Sequence, residues 1–194
     1  MIKIKLEDSH ISINDESKTK KSILEKISDI LSKPSGIKSS VIFNKLYERE
    51  KLGSTSIGKG VAIPHARVKD IEYPFVSIII LDEPVDFDNI DDLDVNIVVS
   101  IIVPEDNFND HLELLAQLSE KLDNPEIRKA LRKARNSKQI ISNLDRKNIK
   151  DFNKYEKEQF AELHSRFADP IYIFCFALIP LIMLKFSQIN SCLQ

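Results

Sequence analysis

Two nearly unbroken apolar, β-branched stretches, Pro74–Leu81 (PFVSIIIL) and Val95–Val103 (VNIVVSIIV), constrain this chain more than any other feature. A strand with water on one side alternates apolar and polar side chains, so a run without alternation must be covered on both faces. Helices have to supply that cover, and the sequence carries them before and after the two runs. From Ser17 to Leu31, Ile23, Leu24, Ile27, Ile30 and Leu31 recur at helical spacing, and the Lys33-Pro34-Ser35-Gly36 segment is expected to stop that helix. Ser39 to Leu52 reads as a second helix, with Gly53 suited to its C-terminal cap.

After Pro104 the helical period returns. Leu112, Leu115, Leu118 and Leu122 line one face, Asn124-Pro125 opens a helix through Ala134, and Ser137–Leu144 forms another. Val61–Ile63 and Val85–Phe87 are shorter candidate strands, and residues 1–15 read as an irregular or partly extended lead-in. Strands enclosed by helices imply a layered α/β domain over residues 1–145. Residues 146–194 differ in character: 145–162 are strongly charged, and Pro170–Leu184 runs for 15 residues without a charge. As a helix that run spans about 22 Å, short of the ~30 Å hydrocarbon layer, so membrane association through 170–184 and an apolar helical tail are both expectations for it.

Of 194 residues, 42% are hydrophobic and 30% charged, which excludes an intrinsically disordered or fibrous chain. A net charge of −2 gives no general reason to bind nucleic acid. The basic run Arg128, Lys129, Arg132, Lys133, Arg135 has no interleaved aromatics and reads as the wet face of a helix. The two cysteines, Cys175 and Cys192, are too few for a disulfide framework, and the charged N-terminus carries no secretory signal; a cytoplasmic location is expected for the domain. Seven carboxylates between Asp82 and Asp94 invite a metal reading, but Ile90 stands where an EF-hand needs an oxygen, so a solvated turn is the better reading and no metal is expected.

The chemistry concentrates elsewhere. The chain has only four glycines, and Gly53, Gly58 and Gly60 fall within eight residues. Gly53 to Gly60 (GSTSIGKG) comes within one residue of a P-loop, but Gly60 stands where the hydroxyl for Mg²⁺ would have to be, and a helix precedes the segment where a P-loop needs a strand. What remains is a loop whose backbone N–H groups can approach an anion closely. Directly after it, Val61-Ala62-Ile63-Pro64-His65 would hold an imidazole rigidly at a strand end. Neutral imidazole is a nucleophile near pH 7 and can accept a phosphoryl group, whose charge Arg49, Arg67 and the glycine-rich backbone could meet. Taken alone, a histidine after a proline is usually a plain loop residue.

The run Tyr47–Arg67 (YEREKLGSTSIGKGVAIPHAR) resembles the signature of the type 2 EIIA domain of the bacterial phosphoenolpyruvate-dependent phosphotransferase system, roughly RE-x2-GST-x-IG-x-G-[IV]-AIPH. Ser17–Ile27, Phe87–Asp91, Val95–Pro104 and the His111-Leu112-x2-Leu115 segment resemble further parts of that domain, about residues 1–145 in all. The resemblance implies a central mixed β-sheet flanked by helices on both faces. It implies that His65 is the phosphoryl acceptor, that Arg49 stabilises the phosphoryl group, that His111 is a second active-site histidine, and that Gly53, Ser54, Thr55, Gly58 and Gly60 form the phosphate-binding loop. Neither metal nor cofactor is implied. The implied partners are an HPr-like phosphocarrier and regulated protein targets.

Within the family the lead-in and first helix are most similar to the stand-alone nitrogen-regulatory members. Sugar-transport members of the fructose and mannitol class share the histidine motif, and a docking-only module is a further alternative. Glu162-Leu-His164-Ser-Arg166 and the apolar run after it resemble a segment of the LptF/LptG lipopolysaccharide-export permeases, which would make the tail part of a transmembrane segment.

Overall fold

The two apolar runs pair with each other at the centre of the sheet. In the computed structural model, which describes residues 6–89, 91–105 and 108–145, β5 (Phe75–Val85) lies antiparallel to β6 (Val95–Pro104). Ile79 sits opposite Val98 and Phe75 opposite Ile102. The chain divides into Met1–Lys147 and Asn148–Gln194, and all described residues belong to the first unit.

Around the central pair the sheet is mixed. β1 (Ile11–Asp15) adds to β5 in parallel. β3 (Val61–Ala62) and β4 (His65–Val68) both run parallel to β6, and β2 (Ser56–Gly58) pairs antiparallel with β3. The order is β1-β5-β6-β3-β2, with β4 also on β6.

Both faces are covered, as the lack of alternation requires. Val98, Ile102, Ile79 and Leu81 pack with Ile23, Leu24, Ile27 and Leu31 of α1 (Lys20–Ser35) and with Ile42 and Leu46 of α2 (Ser39–Lys51). The alternate residues Ile78, Ile80, Ile97, Val99 and Ile101 are equally buried. Buried side chains of α3 (Phe108–Asp123), α4 (Pro125–Arg132) and α5 (Ser137–Asp145) include Leu118, Leu131 and Ile140, and α4 and α5 run against β6 and β1.

Three details depart from the sequence reading. α1 does not stop before Pro34 but carries it in its last turn. A proline there costs the one amide that would pair with the Ile30 carbonyl, and only Ser35 and the Gly36 cap follow it. The Ser35 hydroxyl donates to the Leu31 carbonyl at 2.6 Å, and Gly36 ends the helix in the left-handed conformation at φ 72°. The Val85–Phe87 candidate is no separate strand: Val85 closes β5. The lead-in contains β1, whose short sequence ISIND becomes a strand because β5 offers it an edge.

β1 ends on Asp15, whose carboxylate accepts from the Ser12 hydroxyl at 2.8 Å and from the Ser17 amide at 3.1 Å, with Lys26 Nζ at 3.5 Å. Burial works against the charged form, but the hydrogen bonds from Ser17 and Ser12 and the Lys26 charge outweigh it, leaving Asp15 below its ordinary value of 3.8. A depressed carboxylate adds stability above its unfolded pKa and loses it as the pH falls through the folded one. Asp15→Asn is therefore expected to lower the unfolding midpoint at pH 7, with the gap to the parent closing as the pH drops below 3.8. Denaturant titrations at stepped pH measure this, and a gap constant with pH would refute it.

Among the described residues no helix is long and apolar enough to cross a membrane. The apolar tail helix expected over 170–184, and with it membrane association, lies outside the described residues.

Candidate functional site

The site starts from a proline that interrupts a strand. β3 holds register with β6 at Val61–Ile97 and Ala62–Val98. Pro64 has no N–H to offer, but its carbonyl accepts from Ile101 N–H at 2.9 Å, and pairing resumes as β4 at His65–Ile101. The interruption fixes where His65 leaves the ladder. Its ring is nearly buried, at 7% exposure.

Each ring nitrogen has a partner. Nδ1 lies 2.8 Å from the Ile63 carbonyl, which can only accept, so Nδ1 carries the proton. Nε2 therefore holds the lone pair, and it accepts from Arg49 Nε at 3.0 Å. Arg49 comes from the last turn of α2 and also donates through Nη1 to the Gly53 carbonyl at 3.0 Å. Burial lowers the Arg49 pKa, partly offset by the adjacent Glu50 charge, yet a guanidinium keeps its proton at any physiological pH. A cation thus sits directly against the nucleophilic lone pair.

Glu50, which the sequence reading passed over, organises the loop beside this pair. Its carboxylate accepts from Thr55 N–H at 3.2 Å to both oxygens, from the Thr55 hydroxyl at 2.6 Å, and from Lys20 Nζ at 3.0 Å. Burial works against the Lys20 ammonium, but hydrogen bonds to Asp88 and Glu50 outweigh it and raise its pKa. The Ser54 hydroxyl donates to the Phe87 carbonyl, tying the same loop to the β5–β6 connection.

The glycine cluster divides between two places. Gly53, Ser54 and Thr55 stand beside Arg49 and Glu50. Gly58 and Gly60 instead flank Lys59 in the β2–β3 turn, all three with positive φ: 79°, 57° and 75°. A Cβ at Gly58 would lie 3.0 Å from an Asp91 oxygen, and one at Gly60 2.8 Å from Arg132 Nη2, so this turn is clasped by its surroundings. Along β6 it lies at Asn96–Ile97, about 13 Å from the Ile101 level of His65.

The charged runs prove more structural than their sequences suggest. Asp91 accepts from Lys59 N–H at 2.6 Å, and Arg132 donates to the Lys59 carbonyl at 2.7 Å and to Asn96 at 2.9 Å. Arg67 follows two residues after His65 on β4 and so shares its side of the strand. His111 lies in the first turn of α3, and its side chain falls outside the described ones. Among the described residues no cluster of three or more His, Cys, Asp or Glu could hold a metal ion.

Residues 5–147 match the family model described as "Phosphoenolpyruvate-dependent sugar phosphotransferase system, EIIA 2". The chain belongs to the EIIA type 2 family. Among relatives of this EIIA domain, a nitrogen regulatory protein of Pseudomonas aeruginosa is 39% identical over 123 residues, covering 63% of this chain and 80% of that protein. The crystal structure of the nitrogen regulatory protein IIA-Ntr from Neisseria meningitidis superposes with a TM-score of 0.69 at 34% identity, covering 71% of this chain and 94% of the other. A fructose-specific EIIA component of Haloferax volcanii is 30% identical over 135 residues, 69% of this chain and 87% of that one. The EIIA match ends at residue 147, so it lends no support to the resemblance of the tail to an export permease, and the tail lies outside the described residues.

Proposed function

We propose that this EIIA domain is a phosphoryl carrier of the phosphotransferase system, of the nitrogen-regulatory kind, and that His65 is its acceptor. The observation that carries the assignment of the atom is the pairing of the ring: with Nδ1–H held by the Ile63 carbonyl at 2.8 Å, Nε2 is the nitrogen left with a lone pair. In the transfer step that lone pair forms a bond to the phosphorus of a phosphohistidine on an HPr-like carrier. The donor's N–P bond breaks, and its electron pair returns to the donor imidazole. Arg49 must leave Nε2 for this to happen, and it can do so while staying near, because Nη1 remains on the Gly53 carbonyl at 3.0 Å. From there the guanidinium meets the phosphoryl oxygens, so the cation that held the lone pair afterwards holds the product. His111 is proposed as a second partner of the phosphoryl group, and Ser54 and Thr55 as the hydroxyl-bearing loop beside it.

The regulatory reading follows the nitrogen regulatory relatives. Output then passes to regulated protein targets through the phosphorylation state, and no nucleic-acid contact is invoked. The fructose-specific relative favours a second reading, in which His65 hands the group on to a sugar permease component. Incubation with a phosphorylated HPr-type carrier, followed by peptide mapping, tests the common step; label absent from His65 refutes it.

We further propose that residues 1–145 carry the transfer activity by themselves. Deleting residues 150–194 is expected to leave the rate of phosphoryl uptake within about twofold of the full chain, since no group of the proposed site lies beyond Thr55, His65 and His111. Stopped-time labelling of both forms measures it, and loss of uptake on truncation would refute the division.

A further inference from the structure

Arg49 and Glu50 are consecutive, yet they reach His65 from opposite sides. Arg49 donates to Nε2 directly at 3.0 Å. Glu50 is connected to Nδ1 through a continuous set of hydrogen bonds. Its carboxylate accepts Thr55 N–H at 3.2 Å; the Thr55 carbonyl accepts Ile63 N–H at 2.9 Å; and the Ile63 carbonyl accepts His65 Nδ1–H at 2.8 Å. At the outer end Lys20 Nζ stands 3.0 Å from the same carboxylate, whose side chain is only 5% exposed. From the geometry we infer that Glu50, backed by Lys20, is a positioning residue for phosphoryl transfer: it holds the Thr55–Ile63 pairing in place and so sets the orientation of the His65 ring.

The physical grounds are threefold. A buried carboxylate is retained at a cost unless its acceptor sites are filled, and here Thr55 fills them with both its amide and its hydroxyl. Each link passes from one peptide plane to the next through a Cα, so what the set carries from Glu50 to Nδ1 is position: fixing the Thr55 backbone fixes the Ile63 carbonyl that holds the ring. Without Glu50, the Gly53–Thr55 loop would keep the Ser54 contact with Phe87 but lose the anchor that places the Thr55 carbonyl. Small displacements of a nucleophile are costly, with about 1 Å worth up to ~10²-fold in rate.

The inference rests on the phosphoryl-carrier reading for its consequence, but its geometry is testable apart from it. Glu50→Ala and Glu50→Gln are compared with the parent in the full chain. The first measurement is the proton resonance and solvent exchange of His65 Nδ1–H by NMR, which needs no phosphoryl donor. The second is the transfer rate at varied concentration of an HPr-type donor. Glu50→Ala is expected to speed exchange of the Nδ1 proton and to lower the maximal transfer rate about 10- to 100-fold, with the half-saturating donor concentration within about twofold, because the docking surface is untouched. Glu50→Gln keeps an oxygen for Thr55 and is expected to fall between Glu50→Ala and the parent in both measurements. An Nδ1 proton in the variants that matches the parent overturns the inference whatever the rate, and so does faster exchange with an unchanged rate. If Glu50→Ala does not fold, Glu50→Gln and Lys20→Met decide by the same readings. A parent protein that accepts no phosphoryl group refutes the carrier reading instead, and the exchange measurement alone then decides the positioning role.

Discussion

His65→Ala is expected to yield a folded protein that takes up no detectable phosphoryl label, a loss of at least about 10³-fold. The expectation of folding follows from what the ring touches. Its partners include a carbonyl two residues away and Arg49, whose Nη1 keeps its bond to the Gly53 carbonyl when the imidazole is removed. Leaving those groups short of one partner each costs about 1–3 kcal/mol, too little to unfold an ordinary domain. The chemical loss follows from the proposed role of His65 Nε2 as the nucleophile, because its neighbour Arg49 is a cation with no lone pair to offer. Label from an HPr-type donor, mapped after proteolysis and found stable to alkali but labile to acid, measures the parent; the variant serves as the blank. Labelling of His65→Ala at even a tenth of the parent rate would mean that another group is the acceptor. The same variant separates the two physiological readings. A regulator leaves uptake of fructose or mannitol unchanged when His65 is lost, whereas a transport component stops it.

The second large effect is expected at Phe87. Its side chain is fully buried, packed in the cluster that joins α1 and α2 to the sheet, with Lys20 Nζ 4.9 Å above the ring. Truncation to alanine removes that packing and leaves a cavity, a change worth about 3–5 kcal/mol in well-packed cores. For a domain of this size that corresponds to a fall in Tm on the order of 10 °C. Phe87 also has a second part to play, because its carbonyl accepts the Ser54 hydroxyl. Phe87→Ala should therefore slow phosphoryl uptake at temperatures where the variant is still folded, while Phe87→Leu, which keeps most of the volume, should do less of both. Thermal unfolding and labelling on the same samples test this. A Tm within about 2 °C of the parent would show that the ring is not the plug the packing makes it.

Which features could be read in advance follows from how local their causes are. The two buried strands, both long amphipathic helices and the Pro64–His65 step are written in runs of residues whose period or backbone limits act over a few positions, and they lie where the sequence reading put them. Arg49 stood beside Arg67 and the loop backbone as a candidate to meet a phosphoryl charge on His65, and the resemblance to the family singled it out. β1 is read only as part of an irregular or partly extended lead-in because its alternation, Ile11-Ser12-Ile13-Asn14, is just four residues long; pairing with Ile78–Leu81 makes it a strand. Glu50 escaped because a glutamate in the charged string Glu48-Arg49-Glu50-Lys51 looks like any solvated helix face; only the curl of the following loop back onto α2 brings Thr55 to it. The same holds for Arg132, which reads as one charge in a basic run and in fact closes over the β2–β3 turn.

The glycine cluster shows the division most clearly. From sequence alone it was certain that the backbone between 53 and 60 does something a Cβ hinders, because so sparing a use of glycine elsewhere makes three in eight residues a local demand. The sequence reading gives the whole segment to an anion-binding loop, but positive φ serves a tight turn equally well. The tertiary structure divides the work: Gly53 offers its carbonyl to Arg49 beside His65, while Gly58 and Gly60 turn the hairpin under Asp91 and Arg132. Chain period and backbone limits thus determined the layers and the rigid seat of the histidine. Long-range hydrogen bonds, between residues as far apart in the chain as Lys20 and Glu50 or Lys59 and Arg132, decided how that seat is braced.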